Sequence, residues 1–119
     1  MQLEQRIVGD VAIVRVSGEI TLKRGGDAML HDKVRSLIEQ GHKRVLVDMA
    51  GVSYIDSAGL GELVQAYSTT RNHGGSLKLF NPTERLRNLL VLTQLTALFG
   101  KCDYDDEAQA LASFGGPHA

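Results

Sequence analysis

Three aliphatic residues in a row, Val45-Leu46-Val47, sit between Arg44 and Asp48-Met49. Successive side chains of a strand point to opposite faces of a sheet, so a short run that is apolar throughout suits a central strand covered on both faces. The rest of the chain has to supply the neighbours of that strand and the layers above and below it.

The neighbours are legible. Ile7-Val8 and Val11-Ala12-Ile13-Val14-Arg15-Val16 read as a hairpin, with Gly9-Asp10 as its tight turn. Ser17-Gly18 ends the second strand, and the stretch from Glu19 to Gly26 forms a polar connection. Ser76-Leu77-Lys78-Leu79-Phe80 is a further strand, and Leu98-Phe99 suggests a short last one.

Helical periodicity fills the intervals. Leu30, Val34, Leu37 and Ile38 fall on one helical face, and Gly41 stops that helix. A second helix begins near Ser57 or Ala58, with Leu60, Leu63, Val64 and Tyr67 on its apolar face, and ends at Asn72-His73-Gly74-Gly75. A third starts at Asn81-Pro82-Thr83 and is lined by Leu86, Leu89 and Leu90, with Thr93 at its end. The acidic residues from Asp103 to Glu107 suit the entry of a fourth, because carboxylates favour the positive end of the helix dipole. Phe114 onward reads as a frayed tail.

The expected architecture is α/β: a mixed central β-sheet of about four to five strands, opened by the N-terminal hairpin and packed with about four α-helices. No repeat or linker interrupts it. One domain is expected over residues 1–119, its core from about 3 to 112 and a flexible tail over 113–119.

The segment from Val45 to Tyr67 carries the functional signal. A strand leaves the sheet at Asp48 and passes through a short loop into a helix, and loops at strand C-termini are where α/β sheets place function. Asp56 and Ser57 can each accept a hydrogen bond from the first helical N–H groups, so one role for the pair is to cap the helix. A second role comes from Ala58, Gly59 and Gly61, which leave the first turn nearly bare. A helical glycine costs about 1 kcal/mol relative to alanine, so two of them serve close approach by another surface better than stability. A hydroxyl presented there is accessible to a kinase, and its phosphate is compatible with the dipole and the free N–H groups. The residues alone leave both roles open.

The run Val47-Asp48-Met49-Ala50-Gly51-Val52-Ser53-Tyr54-Ile55-Asp56-Ser57-Ala58-Gly59-Leu60-Gly61 resembles the signature of the STAS family, in particular its stand-alone bacterial anti-sigma factor antagonists. Val14-Arg15-Val16-Ser17-Gly18-Glu19-Ile20 is similar to the family's second strand and exit loop, and the resemblance extends from the Val11 strand to about Ala112. It implies a partner-switching cycle. The unmodified antagonist binds an anti-sigma factor with serine kinase activity and frees a sigma factor; phosphorylation of the serine matching Ser57 releases the antagonist, and a PP2C-type phosphatase resets it. The implied partner surface comprises Thr21, Lys23, Asp56, Ser57, Ala58, Gly59, Gly61 and Glu62. Thr21 stands where family members commonly carry an aspartate, which bears on the identity of the partner, and it is a second candidate phosphoacceptor beside a plain loop role. The alternative within the family is a scaffold or subunit of a stressosome-like or lipid-transport complex with little phosphorylation control.

Other chemistries find no support. The net charge of −1 and the single short basic cluster His42-Lys43-Arg44 argue against nucleic acid as a partner. Cys102 is the only cysteine, which excludes an internal disulfide and a cysteine zinc cage and is consistent with a reducing, cytoplasmic compartment. Neither a signal peptide nor a membrane-spanning run is present, so a soluble, cytosolic chain without a membrane partner is expected, as a monomer or weak homodimer. Ser57 lies in no Gly-x-Ser-x-Gly elbow, and the four histidines, His31, His42, His73 and His118, lack metal-ligand spacing. No phosphate-binding glycine loop exists, and the acidic run lacks the oxygen pattern of a calcium loop. A binding protein, not an enzyme, with no cofactor or metal, is the expectation.

Overall fold

The structure is a computed structural model and describes residues 2–21, 29–100, 104 and 106–114. Its elements run β1 (Gln2–Val8), β2 (Val11–Ile20), α1 (Met29–Glu39), β3 (Arg44–Ile55), α2 (Ser57–Asn72), β4 (Ser76–Phe80), α3 (Glu84–Leu92), α4 (Thr96–Phe99) and α5 (Glu107–Ala112). The strands form one sheet in the order β1-β2-β3-β4. β1 pairs with β2 antiparallel, and β2 with β3 and β3 with β4 are parallel, so the sheet is mixed and β3 is interior.

Both faces of β3 are covered, as the aliphatic run requires. On one face Ala12, Val14 and Val16 of β2, Val45, Val47 and Met49 of β3, and Leu77 and Leu79 of β4 pack with Leu30, Val34, Leu37, Leu60, Leu63 and Ala66 of α1 and α2. On the other, Val11, Ile13, Leu46 and Phe80 pack with Ala110 and Phe114 at the end of the chain's last helix. The hairpin turn is made at Gly9, whose φ of 62° is one that glycine adopts without steric cost.

Four local expectations change. β2 does not stop at Ser17-Gly18 but reaches Ile20, accommodating register shifts between Arg15 and Ser17 and between Gly18 and Glu19. β3 likewise continues through the expected loop to Ile55, because Val52, Tyr54 and Ile55 are strand formers that find β2 alongside them. Gly51 makes that pairing possible, since a Cβ there would lie 2.8 Å from the Cβ of Ser17. Leu98-Phe99 is no strand: Thr96–Phe99 is a helical turn that buries Phe99, edge-on against Tyr67 with ring centroids 5.4 Å apart, and it raises the helices among the described residues to five. Phe114 is not frayed, being buried with the Lys78 ammonium 5.4 Å from its ring centroid. Cys102 and His118 lie outside the described residues. Among the described residues no helix is long and apolar enough to cross a membrane.

Candidate functional site

Strand β3 delivers its last residue, Ile55, to the C-terminal end of the sheet, and α2 starts two residues later at Ser57. Asp56 is the joint. Its backbone is extended, with φ −100° and ψ −177°, and its carboxylate Oδ1 accepts from the amide of Gly59 at 2.8 Å. The competition between Asp56 and Ser57 for the capping role is thereby resolved: Asp56 caps and Ser57 occupies the first helical position. The amide of Asp56 donates to the carbonyl of Ile20 at 3.3 Å, which ties the helix start to the end of β2.

Ser57 is exposed and its hydroxyl bonds to no described residue. Ala58 beside it is exposed too, and the amides of Ser57 and Ala58 have no acceptor among the described residues. A hydroxyl and two outward-facing N–H groups at the positive end of a 16-residue helix make a place where added negative charge is tolerated.

The two glycines part company. Gly59 is buried, and a Cβ on it would lie 2.1 Å from the Ile20 carbonyl oxygen and 2.8 Å from the Ile20 Cγ2. The surface that approaches it is the chain's own second strand. Gly61 is exposed, with nothing within 4 Å of the position a Cβ would take.

Glu62 is not at the surface. At 2% exposure it turns inward, and its Oε1 accepts from the amides of Leu30 at 2.6 Å and His31 at 3.2 Å. These are first-turn amides of α1, which have no partner within their own helix, so Glu62 serves as an N-cap supplied by a different helix. No periodicity marks such a contact, because the two residues it joins are 32 positions apart. Thr21 is also withdrawn from the surface, 5% exposed with its hydroxyl buried, so neither a docking contact nor a second phosphoacceptor is available there. Burial follows from β2 running on to Ile20, which carries Thr21 to the sheet's edge of the core instead of into a polar loop. Lys23 lies outside the described residues. Of the expected partner surface, Ser57, Ala58 and Gly61 are presented together on the outer side of α2, with Asp56 half-buried beneath them.

A second feature adjoins this one. A groove of about 350 Å³ runs between the end of β3 and α3, lined by Val52, Tyr54, Ile55, Leu86, Leu89 and Leu92 among others. Tyr54 and Leu92 in its lining are 44% and 80% exposed.

Comparison with known proteins agrees with these observations. The family profile described as STAS domain matches residues 2–110. The anti-sigma-B factor antagonist of Bacillus subtilis is 39% identical over 82 residues, covering 69% of this chain and 72% of that one. An anti-sigma factor antagonist from Mycobacterium paratuberculosis superposes with a TM-score of 0.80 at 20% identity, over 97% of this chain and 94% of that one. The Bacillus cell fate determinant SpoIIAA in its phosphorylated form superposes at 0.72 and 18% identity, over 94% and 98% of the two chains.

Proposed function

Since the chain belongs to the STAS-domain family, we propose that it is an anti-sigma factor antagonist that binds an anti-sigma factor with serine kinase activity and is switched off by phosphorylation of Ser57. The observation that carries this reading is the state of Ser57: exposed, unbonded to any described residue and capped from behind by Asp56, at the tip of the helix that the family signature opens. The relative from Bacillus subtilis bears the name of an anti-sigma-B factor antagonist, and a phosphorylated form of SpoIIAA shares the fold.

The physics of the switch is electrostatic. A phosphate adds about −1.5 to −2 charges at the helix tip. In the free protein that charge faces water and the unfilled amides of the first turn. In a complex it is desolvated at an interface without new cations to meet it, at a cost of several kcal/mol. Each ~1.4 kcal/mol is tenfold in affinity, so one phosphate is sufficient to release the partner with the fold unchanged. The anti-sigma factor supplies ATP-dependent kinase activity and a PP2C-type phosphatase restores the hydroxyl. Ser57, Ala58 and Gly61 form the contact, with Asp56 holding the turn.

The test is to incubate the unmodified protein with anti-sigma factors of its own genome and ATP, measuring binding by titration and modification by mass spectrometry. The expected result is one partner that binds without ATP, a single phosphate on Ser57 with ATP, and release on modification. Ser57→Ala keeps the affinity and takes up no phosphate; Ser57→Asp binds at least about a hundredfold more weakly. A partner held equally by the parent and by Ser57→Asp overturns the switch.

A further inference from the structure

β3 outlasts β4. Pairing between them ends at Asp48 with Phe80, while β3 stays paired to β2 as far as Ile55. Among the described residues no strand lies on the β4 side of β3 beyond Asp48, so Val52–Ile55 present a backbone edge in the wall of the groove described above. Unpaired edge groups are a template for another strand. The facing wall is the α3 ridge of Leu86, Leu89 and Leu92, spaced three residues apart along one side of the helix.

The dimensions choose among occupants. From Thr83 to Leu92 the helical wall is roughly 14 Å long at about 1.5 Å per residue. The groove of about 350 Å³ lies along that length beside the β3 edge, where an added strand would stand roughly 4.7–4.9 Å from β3. An extended segment of about four residues spans that length, and its main chain is what the unpaired β3 edge is complementary to. The exposed side chains of Tyr54 and Leu92 extend the apolar surface beyond the groove, where a polypeptide covers them and a small molecule inside the groove leaves them in water.

Charge chooses further. Among the described residues Arg85 is the one charged residue that lines the groove and it has no ion pair; its guanidinium stands 5.9 Å from the Tyr54 ring centroid. A second copy docked groove to groove about a twofold axis would bring two such cations to one interface with no carboxylate between them. A partner segment carrying a carboxylate is complementary. The groove also lies close in the chain to the serine surface, because Ile55 lines it and Ser57 is two residues on.

We propose that the groove between β3 and α3 receives an extended, apolar segment of the anti-sigma factor bearing an acidic side chain, which adds as a strand to the β3 edge at Val52–Ile55 and pairs its carboxylate with Arg85. This rests on the reading of the chain as an antagonist, and it gives the partner a second hold beside the phosphate-sensitive one. Apolar side chains of the segment lie against Leu89 and Leu92, and main-chain hydrogen bonds fix its register.

The experiment uses the full chain and the anti-sigma factor that it binds in the titration above. Leu92→Asp and Arg85→Glu each weaken binding about tenfold, with Leu92→Ser as a milder variant at a site already in water. In hydrogen exchange, alternate amides within Val52–Ile55 gain protection in the complex, which a helix laid across the groove does not produce. If Ser57→Asp abolishes binding while the groove variants bind as the parent does and Val52–Ile55 gain no protection, the groove proposal is overturned and the antagonist reading stands. If no anti-sigma factor binds, or the Ser57 and groove variants all bind as tightly as the parent, the reading beneath it falls as well. Protection of Val52–Ile55 in the free protein that rises with its concentration assigns the groove to a second copy and overturns the proposal.

Discussion

Gly59 and Gly61 lie two residues apart on α2, yet a Cβ on the first would stand 2.1 Å from the Ile20 carbonyl while one on the second meets nothing within 4 Å. The same division runs through the whole helix start. Gly59, Leu60, Glu62 and Leu63 face the molecule and hold β2, the core and α1; Ser57, Ala58, Gly61 and Gln65 are exposed, and their side chains bond to none of the described residues. A single signature thus encodes two unrelated demands, the seating of a helix on a sheet and the presentation of a bare surface. The two sides should therefore respond to substitution in opposite ways.

The largest effect belongs to the inner side. Gly59→Ala forces the helix away from Ile20 and is expected to cost at least about 3 kcal/mol; a thermal melt coincident with the parent's would dissolve the distinction. Glu62→Ala strips two α1 amides of their buried acceptor and should cost about 2 kcal/mol in urea denaturation, with Glu62→Gln recovering part of it. Asp56→Ala removes the cap from Gly59 and should cost about 1 kcal/mol by the same assay.

On the outer side the sign reverses. Gly61→Ala should stabilise the free protein by about 0.5–1 kcal/mol, since it removes a helical glycine and meets no neighbour. If it destabilises instead, Gly61 has an intramolecular duty. The smallest change is expected for Ser57→Asp, within about 0.5 kcal/mol of the parent because an acidic residue at the first helical position agrees with the dipole. A stability loss beyond about 1 kcal/mol there would mean that loss of partner binding reports misfolding and not charge.

How far the sequence foretold this follows from which signals are local. Val45-Leu46-Val47 announces its own burial, and Leu30, Val34, Leu37 and Ile38 announce a helical face, because each pattern repeats within a few residues. Asp56 and Ser57 could be placed at a helix start but not told apart, since either oxygen reaches the same amide. Gly59, Glu62 and Thr21 were misassigned to a surface because what buries them is remote in sequence: Ile20 for the glycine, Leu30 and His31 for the carboxylate, and the prolonged β2 for the threonine. The extension of β3 to Ile55 had the same cause, a pairing with β2 that no window around Ala50 contains. Leu98-Phe99 was too short for a period of 2 to be distinguished from one of 3.6.

The Ile20 carbonyl both receives the amide of Asp56 and sets the closest approach of Gly59. The helix tip is in consequence held in place by the chain itself, and under the proposed switch a phosphate on Ser57 would require no rearrangement behind it. The tempo of the proposed device would then be set outside the fold, by how fast the modifying enzymes turn over and how long the complex persists. Substitutions on the outer side of α2 should shift residence time far more than the rate of encounter.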